Sequence, residues 1–299
     1  MYDNILLPTN GVDEPSPSTE RAIDLATRCD AAIHAIYVVE SGRIPLQDGS
    51  QWVLDDLAGI GDEALDRIAE LAREAGIATV ETAKADGTPH HEILSYVDEH
   101  DVDLIVMGTH GRKGLDRYLL GSVTEKVVRA SPVPVLSVKR SDASPPPIEY
   151  TDVLVPTDGS EGAEAAVDHG IEFASMVDAD VHGLYVTDVR ATVPSADDGS
   201  QTAILELLES EGERAIEYVE TAGRAAGLDV TTAMVRGTPY AQIREYVVAN
   251  DVDLIAMGTH GRTGIERYLL GSVAEKVVRT ADVPVLTVQV RKATGADGD

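Results

Sequence analysis

Hydrophobic positions along the chain fall into short runs that alternate with longer stretches of helical period, and this alternation predicts an α/β fold. Apolar runs rich in Val, Ile and Leu predict strands at residues 4–7, 32–39, 79–83, 104–107 and 135–138. Their lack of strict polar alternation is expected of strands covered on both faces. Helices are predicted at 19–28, after Ser and Thr cap candidates, at 62–74, with Leu65, Ile68 and Leu71 or Ala72 at helical spacing, and at 89–99, with Pro89 in the first turn. Strands alternating with helices imply right-handed crossovers and a mostly parallel, doubly wound sheet. Ligands of such sheets sit at the carboxyl ends of the strands, near a topological switch point.

The whole pattern occurs twice. Residues 101–138 and 251–288 are related by an offset of 150 and differ at nine of 38 positions. Leu6-Leu7-Pro8-Thr9 matches Leu154-Val155-Pro156-Thr157 at an offset of 148. The expected organisation is two tandem Rossmann-like domains at 1–140 and 150–291, joined by a linker at 141–149 with three consecutive prolines, Pro145 to Pro147, and followed by a tail at 292–299. Each domain is expected to hold a five-stranded parallel sheet between helices.

Composition narrows the partners. The chain of 299 residues carries 24 basic and 52 acidic side chains, a formal net charge of −28. A surface this negative repels phosphate backbones and anionic headgroups, so nucleic acid and membrane surfaces are excluded as expected partners. No stretch approaches the roughly 18 uninterrupted apolar residues of a membrane span. Cys29 is the sole cysteine and cannot close an intrachain disulfide, and Met1-Tyr2-Asp3-Asn4 has no basic or long apolar character, so a cytoplasmic location is expected. Only six of the basic residues are Lys, while Asp supplies 29 of the acids. That bias reads as adaptation to a salt-rich cytoplasm, where screening removes self-repulsion; a thermal melt equally high in dilute buffer and molar KCl would contradict it.

The candidate chemistry lies after the fourth strand of each copy. Gly108-Thr109-His110-Gly111 is followed by nine residues, Arg112 to Leu120, and then by Gly121-Ser122 at the start of a helix with apolar Val123, Val127 and Val128. Gly258, Gly261, Gly271 and Ser272 repeat the spacing. Glycines let the backbone approach a ligand without a Cβ clash, and the free N–H groups at a helix start favour an anion. A lone glycine pair would be explained by a turn; three glycines between strand and helix, twice at identical spacing, favour phosphate binding. Arg112, Arg262, Arg117 and Arg267 either neutralise phosphates or pair with the abundant acids. His110 and His260 have no second ligand-type residue nearby in sequence, and loop packing is their expected role; His90-His91 becomes Tyr240-Ala241 in the second copy, which argues against a shared metal function. Gly87-Thr88-Pro89 and Gly237-Thr238-Pro239 are explained by helix initiation, with a secondary contact to a ligand's ribose or phosphates as the alternative. Neither a Gly-x-x-x-x-Gly-Lys loop, nor Gly-x-Gly-x-x-Gly, nor a Gly-x-Ser-x-Gly elbow is present. No residue set would position a water and a leaving group, so no catalytic residues are assigned, and binding is better supported than turnover.

Gly-x-x-Gly, nine residues and Gly-Ser, together with a first strand ending in Pro156-Thr157-Asp158-Gly159-Ser160, resembles the nucleotide-binding signature of the universal stress protein family. The resemblance covers nearly the whole chain as two copies. It implies a five-stranded parallel α/β sandwich and ATP, with or without Mg2+, as ligand. Carried over by position, Gly108, Gly111, Gly121, Ser122 and Val123 would line triphosphate and ribose in the first copy, and Gly258, Gly261, Gly271, Ser272 and Val273 in the second. Pro156, Thr157 and Asp158 would lie near adenine and ribose, and Val186 would present its backbone to adenine. Pro8, Thr9 and Val38 are their first-copy counterparts.

Asn10 departs from the pattern, standing where the second copy has Asp158. Asn accepts a hydrogen bond but lacks the charge that helps hold a cation or a ribose hydroxyl, so the second site is expected to bind nucleotide more tightly. The resemblance further implies that the last strands of the two copies pair as an internal pseudo-dimer, which can associate further into a homo-oligomer. Three functions stay open on these residues: a nucleotide-responsive stress factor, a slow ATP hydrolase or nucleotidyl-handling enzyme, and an interaction module with a vestigial site.

Overall fold

The computed structural model describes residues 1–11, 14–41, 51–109, 120–139, 149–188, 198–262 and 270–290. The expected linker at 141–149, except Glu149 itself, and the tail at 292–299 lie outside these residues. In the first copy the elements are β1 (Asn4–Thr9), α1 (Pro17–Cys29), β2 (Ala32–Val39), α2 (Gln51–Glu74), β3 (Val80–Asp86), α3 (Pro89–Glu99), β4 (Leu104–Gly108), α4 (Ser122–Ala130) and β5 (Val135–Val138). The second copy repeats them as β6 (Asp152–Thr157), α5 (Glu161–Val177), β7 (Asp180–Thr187), α6 (Asp198–Ala225), β8 (Val230–Arg236), α7 (Pro239–Ala249), β9 (Leu254–Gly258), α8 (Ser272–Thr280) and β10 (Val285–Val288).

All ten strands form one sheet in the order β3-β2-β1-β4-β5-β10-β9-β6-β7-β8. Every pairing within a copy is parallel, and the two halves meet at an antiparallel seam in which Leu286 lies opposite Leu136. Each copy is therefore a five-stranded parallel sheet, and the last strands pair across the duplication. Residues of α1, α2, α5 and α6 share one continuous apolar cluster with one face of the sheet, including Leu25, Ile68, Phe173 and Val219. The other face is covered copy by copy, by α3 and α4 around Ile93 and Val127, and by α7 and α8 around Ile243 and Val277. Leu120, just before α4, packs against the second copy's cluster, and Leu270 against both. Across the seam Thr287 Oγ1 donates to the Val135 carbonyl at 3.1 Å, and Lys139 pairs with Asp282 at 2.7 Å.

Two expectations need correction. The third strand of each copy is not covered on both faces: β3 and β8 are the sheet's edges, with exposed and half-buried positions mixed along Val80–Asp86. Exposed Glu81, Thr82 and Lys84 on β3 fit that edge position. The long helix α2 also begins earlier than predicted, at Gln51 rather than 62: Gly59 and Gly61 interrupt the helical pattern in the sequence, yet the helix runs through them and its early turns reach the core through partly buried Leu54 and Leu57.

Candidate nucleotide site

β1 lies between β2 and β4, and β6 between β7 and β9, so each copy has its switch point where the loops after these central strands diverge. The described glycines of both motifs, Gly108 with Gly121 and Gly258 with Gly271, sit at this end of the sheet. In the second copy, β6 ends at buried Thr157, and Gly159 takes φ +74°, a left-handed turn open to glycine, before Ser160 caps α5 by accepting from Ala163 N at 3.3 Å. Asp158 is tied into this turn: one carboxylate oxygen accepts from Ser160 N at 3.0 Å and Ser160 Oγ at 2.6 Å.

The glycine loop rests directly on that turn. A Cβ on Gly258 would stand 2.6 Å from the Gly162 carbonyl oxygen, and one on Gly261 would stand 2.5 Å from Asp158 Oδ2. Arg262 N donates to the same Asp158 oxygen at 3.1 Å. Its side chain bridges the crevice: Nε donates to the Asp158 carbonyl at 2.8 Å, one terminal nitrogen to Tyr185 Oη at 3.3 Å, and the other pairs with Glu211 on α6 at 2.5 Å. Tyr185 in turn donates to the Leu208 carbonyl at 3.0 Å, and burial raises its phenol above the ordinary value.

After the loop, Gly271 N donates to the Thr259 carbonyl at 2.8 Å, and α8 begins with no side-chain cap. The N–H groups of Ser272, Val273 and Ala274 precede the first intrahelical bond, from Glu275 N to the Gly271 carbonyl at 2.9 Å. The first copy repeats this at Gly121, Ser122 and Val123: Gly121 N reaches the Thr109 carbonyl at 2.7 Å, and α4 is likewise uncapped. Ser122 and Ser272 are exposed at these helix starts. A phosphate fits this donor set, since it would satisfy helix-start N–H groups that no side chain serves and meet the positive end of the helix dipole. His260 is part of the loop's packing, sharing a hydrogen bond with Thr259 Oγ1 at 2.9 Å; its buried Nε2 has no hydrogen-bond partner among the described residues.

Pro156 and Val186 lie near the carboxyl ends of β6 and β7, paired with Leu184 and Val235 respectively, and Val186 is only half-buried. Pro8 and Val38 occupy the same places on β1 and β2. The structure thus gathers Pro156, Thr157, Asp158, Gly258, Gly261 and Arg262 at one end of the sheet. Gly111, Arg112, His110, Arg117 and Arg267 lie outside the described residues. Among the described residues no group of three or more His, Cys, Asp or Glu is placed to hold a metal ion.

The two sites differ more than the Asn10 substitution indicated. Helix α1 starts one turn later than α5 when the two are matched at their left-handed C-caps, Asp30 and Asp178. The vacated turn is replaced by Glu14, whose carboxylate accepts from Thr9 Oγ1 at 2.7 Å, Ser16 N at 3.0 Å and Thr19 Oγ1 at 2.5 Å. Thr9, expected near adenine and ribose, therefore spends its hydroxyl proton on a neighbouring glutamate. Sequence reading also missed Tyr185 and Glu211. Tyr37 and Tyr185 each precede the expected adenine-facing valine, a repeated signal that could have marked them; Glu211 has none, because the matched glycines Gly61 and Gly212, each set against the corresponding tyrosine ring, place Ile60 opposite it. Glu211 brings acidic charge directly to the glycine loop, onto Arg262.

Comparison with known proteins agrees along the whole chain. The model of the universal stress protein family matches residues 1–139 and again 149–289. A universal stress protein of Mycobacterium tuberculosis is 28% identical over 293 residues, covering 93% of this chain and 95% of that protein. One from Methanocaldococcus jannaschii is 42% identical over 143 residues, 48% of this chain and 84% of its own length. The crystal structure of a universal stress protein from Archaeoglobus fulgidus superposes with a TM-score of 0.70 at 27% identity, covering 96% of this chain and 98% of that one. No helix among the described residues is long and apolar enough to cross a membrane.

Proposed function

The chain belongs to the universal stress protein family, and on that premise we propose that it binds ATP at the carboxyl end of each half-sheet and acts as a nucleotide-responsive stress-response factor in the cytoplasm. The observation that carries this reading is the pair of uncapped helix starts, Gly121-Ser122 and Gly271-Ser272, each set after a strand end. Residues 1–140 and 150–291 are the two binding units in this reading. Gly258, Gly261, Gly271, Ser272 and Val273 would hold the phosphates of the second nucleotide, with Asp158 toward the ribose and Pro156, Thr157 and Val186 toward the base. Gly108, Gly111, Gly121, Ser122 and Val123 would do the same in the first copy. A Mg2+ ion carried with ATP would neutralise phosphate charge in a protein of net charge −28. The second site is the tighter one, because Asp158 is charged where Asn10 is not.

Acid extraction of the purified protein followed by nucleotide chromatography tests the reading. Recovered ATP supports a binding switch, ADP supports turnover by a slow hydrolase, and an empty protein that also fails to take up added ATP refutes nucleotide binding. Replacing Gly121 and Gly271 with bulkier residues is expected to abolish retention.

A further inference from the structure

We propose that Glu211 sets the phosphate affinity of the second site by holding Arg262 as an internal counter-ion, which the phosphates of a bound nucleotide must take over. The inference rests on the nucleotide reading above and concerns how that site is regulated.

All three side-chain nitrogens of Arg262 are engaged, by the Asp158 carbonyl, by Tyr185 Oη and by the Glu211 carboxylate. Two of these partners are neutral and fix the position of the guanidinium beside the crevice. Among the described residues Glu211 is the carboxylate that pairs with the guanidinium itself, the same chemistry a phosphate would bring, whereas the Asp158 carboxylate accepts from the Arg262 main-chain N–H. Glu211 reaches Arg262 from α6, a different element from the turn and the loop that form the rest of the site, and both side chains are 35% exposed. Exchange of the arginine between carboxylate and phosphate therefore needs no opening of the core. The same exchange ties phosphate occupancy to the α6 surface. In the first copy Ile60 stands in the place of Glu211. A carboxylate at this helix position is therefore not required by the general packing of the fold.

Glu211→Gln in the full chain, titrated calorimetrically with ATP and separately with adenosine at low salt, tests the proposal. ATP is expected to bind the second site roughly twofold to fivefold more tightly in the variant, the range of a part-exposed ion pair, with adenosine unchanged because it brings no phosphate. Glu209→Gln removes the same charge two residues away, where the carboxylate pairs with Arg236, and controls for simple neutralisation. The gain must also vanish when Glu211→Gln is made on an Arg262→Ala background, which closes a double-mutant cycle. An equal gain from Glu209→Gln, a gain that persists without Arg262, or weaker ATP binding in Glu211→Gln overturns the proposal while leaving nucleotide binding intact. Absence of ATP binding in wild type and variants alike refutes the nucleotide reading itself and the inference with it.

Discussion

Adding one methyl group at Gly258 tests whether the glycine loop depends on close backbone approach. The new Cβ would stand 2.6 Å from the Gly162 carbonyl oxygen, 2.9 Å from its carbon and 3.3 Å from Ala163 N. A carbon–oxygen contact normally keeps about 3.3 Å, so either β9 or the first turn of α5 must yield by about 0.7 Å. All three contacts are with backbone, which has no rotamer to escape into, and Gly170 farther along α5 is itself packed against Val155 and Ala256. Overpacking of this kind costs about 2 kcal/mol, which in a chain of this size lowers the melting temperature by about 3 °C. The displaced turn carries Asp158 and Ser160, so ATP affinity at the second site falls as well. Thermal melts and calorimetric titration of Gly258→Ala read both effects. Gly59→Ala is the contrast: the site is exposed on α2 with nothing within 4 Å of the new Cβ, and the change is expected to stabilise by up to about 1 kcal/mol through helix propensity. A Gly258→Ala protein that melts within a degree of wild type and binds ATP equally well refutes the reasoning.

Asp158→Asn keeps one acceptor oxygen but loses the charge, and ATP binding at the second site is expected to weaken about fivefold in titration calorimetry; tighter binding, or two sites already indistinguishable in wild type, contradicts the assigned asymmetry. Burial holds the His34 imidazole below the ordinary value near 6.5; His100 acts in the same direction, Glu81 opposes it, and Tyr96 and Asn4 hydrogen-bond the ring. The unfolded chain then takes up this proton first, so stability is lost as pH falls through about 6.5 toward the depressed value, and urea midpoints at pH 7 and pH 5 should differ less in His34→Gln than in wild type. Leu286 is fully buried opposite Leu136 at the seam, and Leu286→Ala is expected to cost about 2–5 kcal/mol in denaturant melts; a loss under 1 kcal/mol would mean the seam is not a packed core.

The repeat, the α/β class and the position of the glycine motif were legible because each is a local pattern: Val-rich runs, a helical period, and glycines at fixed spacing between them. Identical spacing in two copies made the phosphate-binding reading stronger than either copy alone could. What escaped the sequence lies between segments far apart in the chain. That β3 and β8 are edges depends on strand order, which hydrophobic pattern does not encode. Glu14 replacing a helical turn became visible only when α1 and α5 could be matched at their C-caps. Glu211 meets Arg262 across 51 positions of sequence, and nothing in α6 distinguishes it from the other acids of that helix until the fold brings the two together. The sequence by itself determined two copies of one α/β domain of the universal stress protein type, since local periodicity and glycine placement dictate backbone paths. Only the tertiary structure decided which strands are the edges of the ten-stranded sheet and that Glu14 and Glu211 set the two strand-end crevices apart, because strand order, close approach and charge pairing are properties of distance in space.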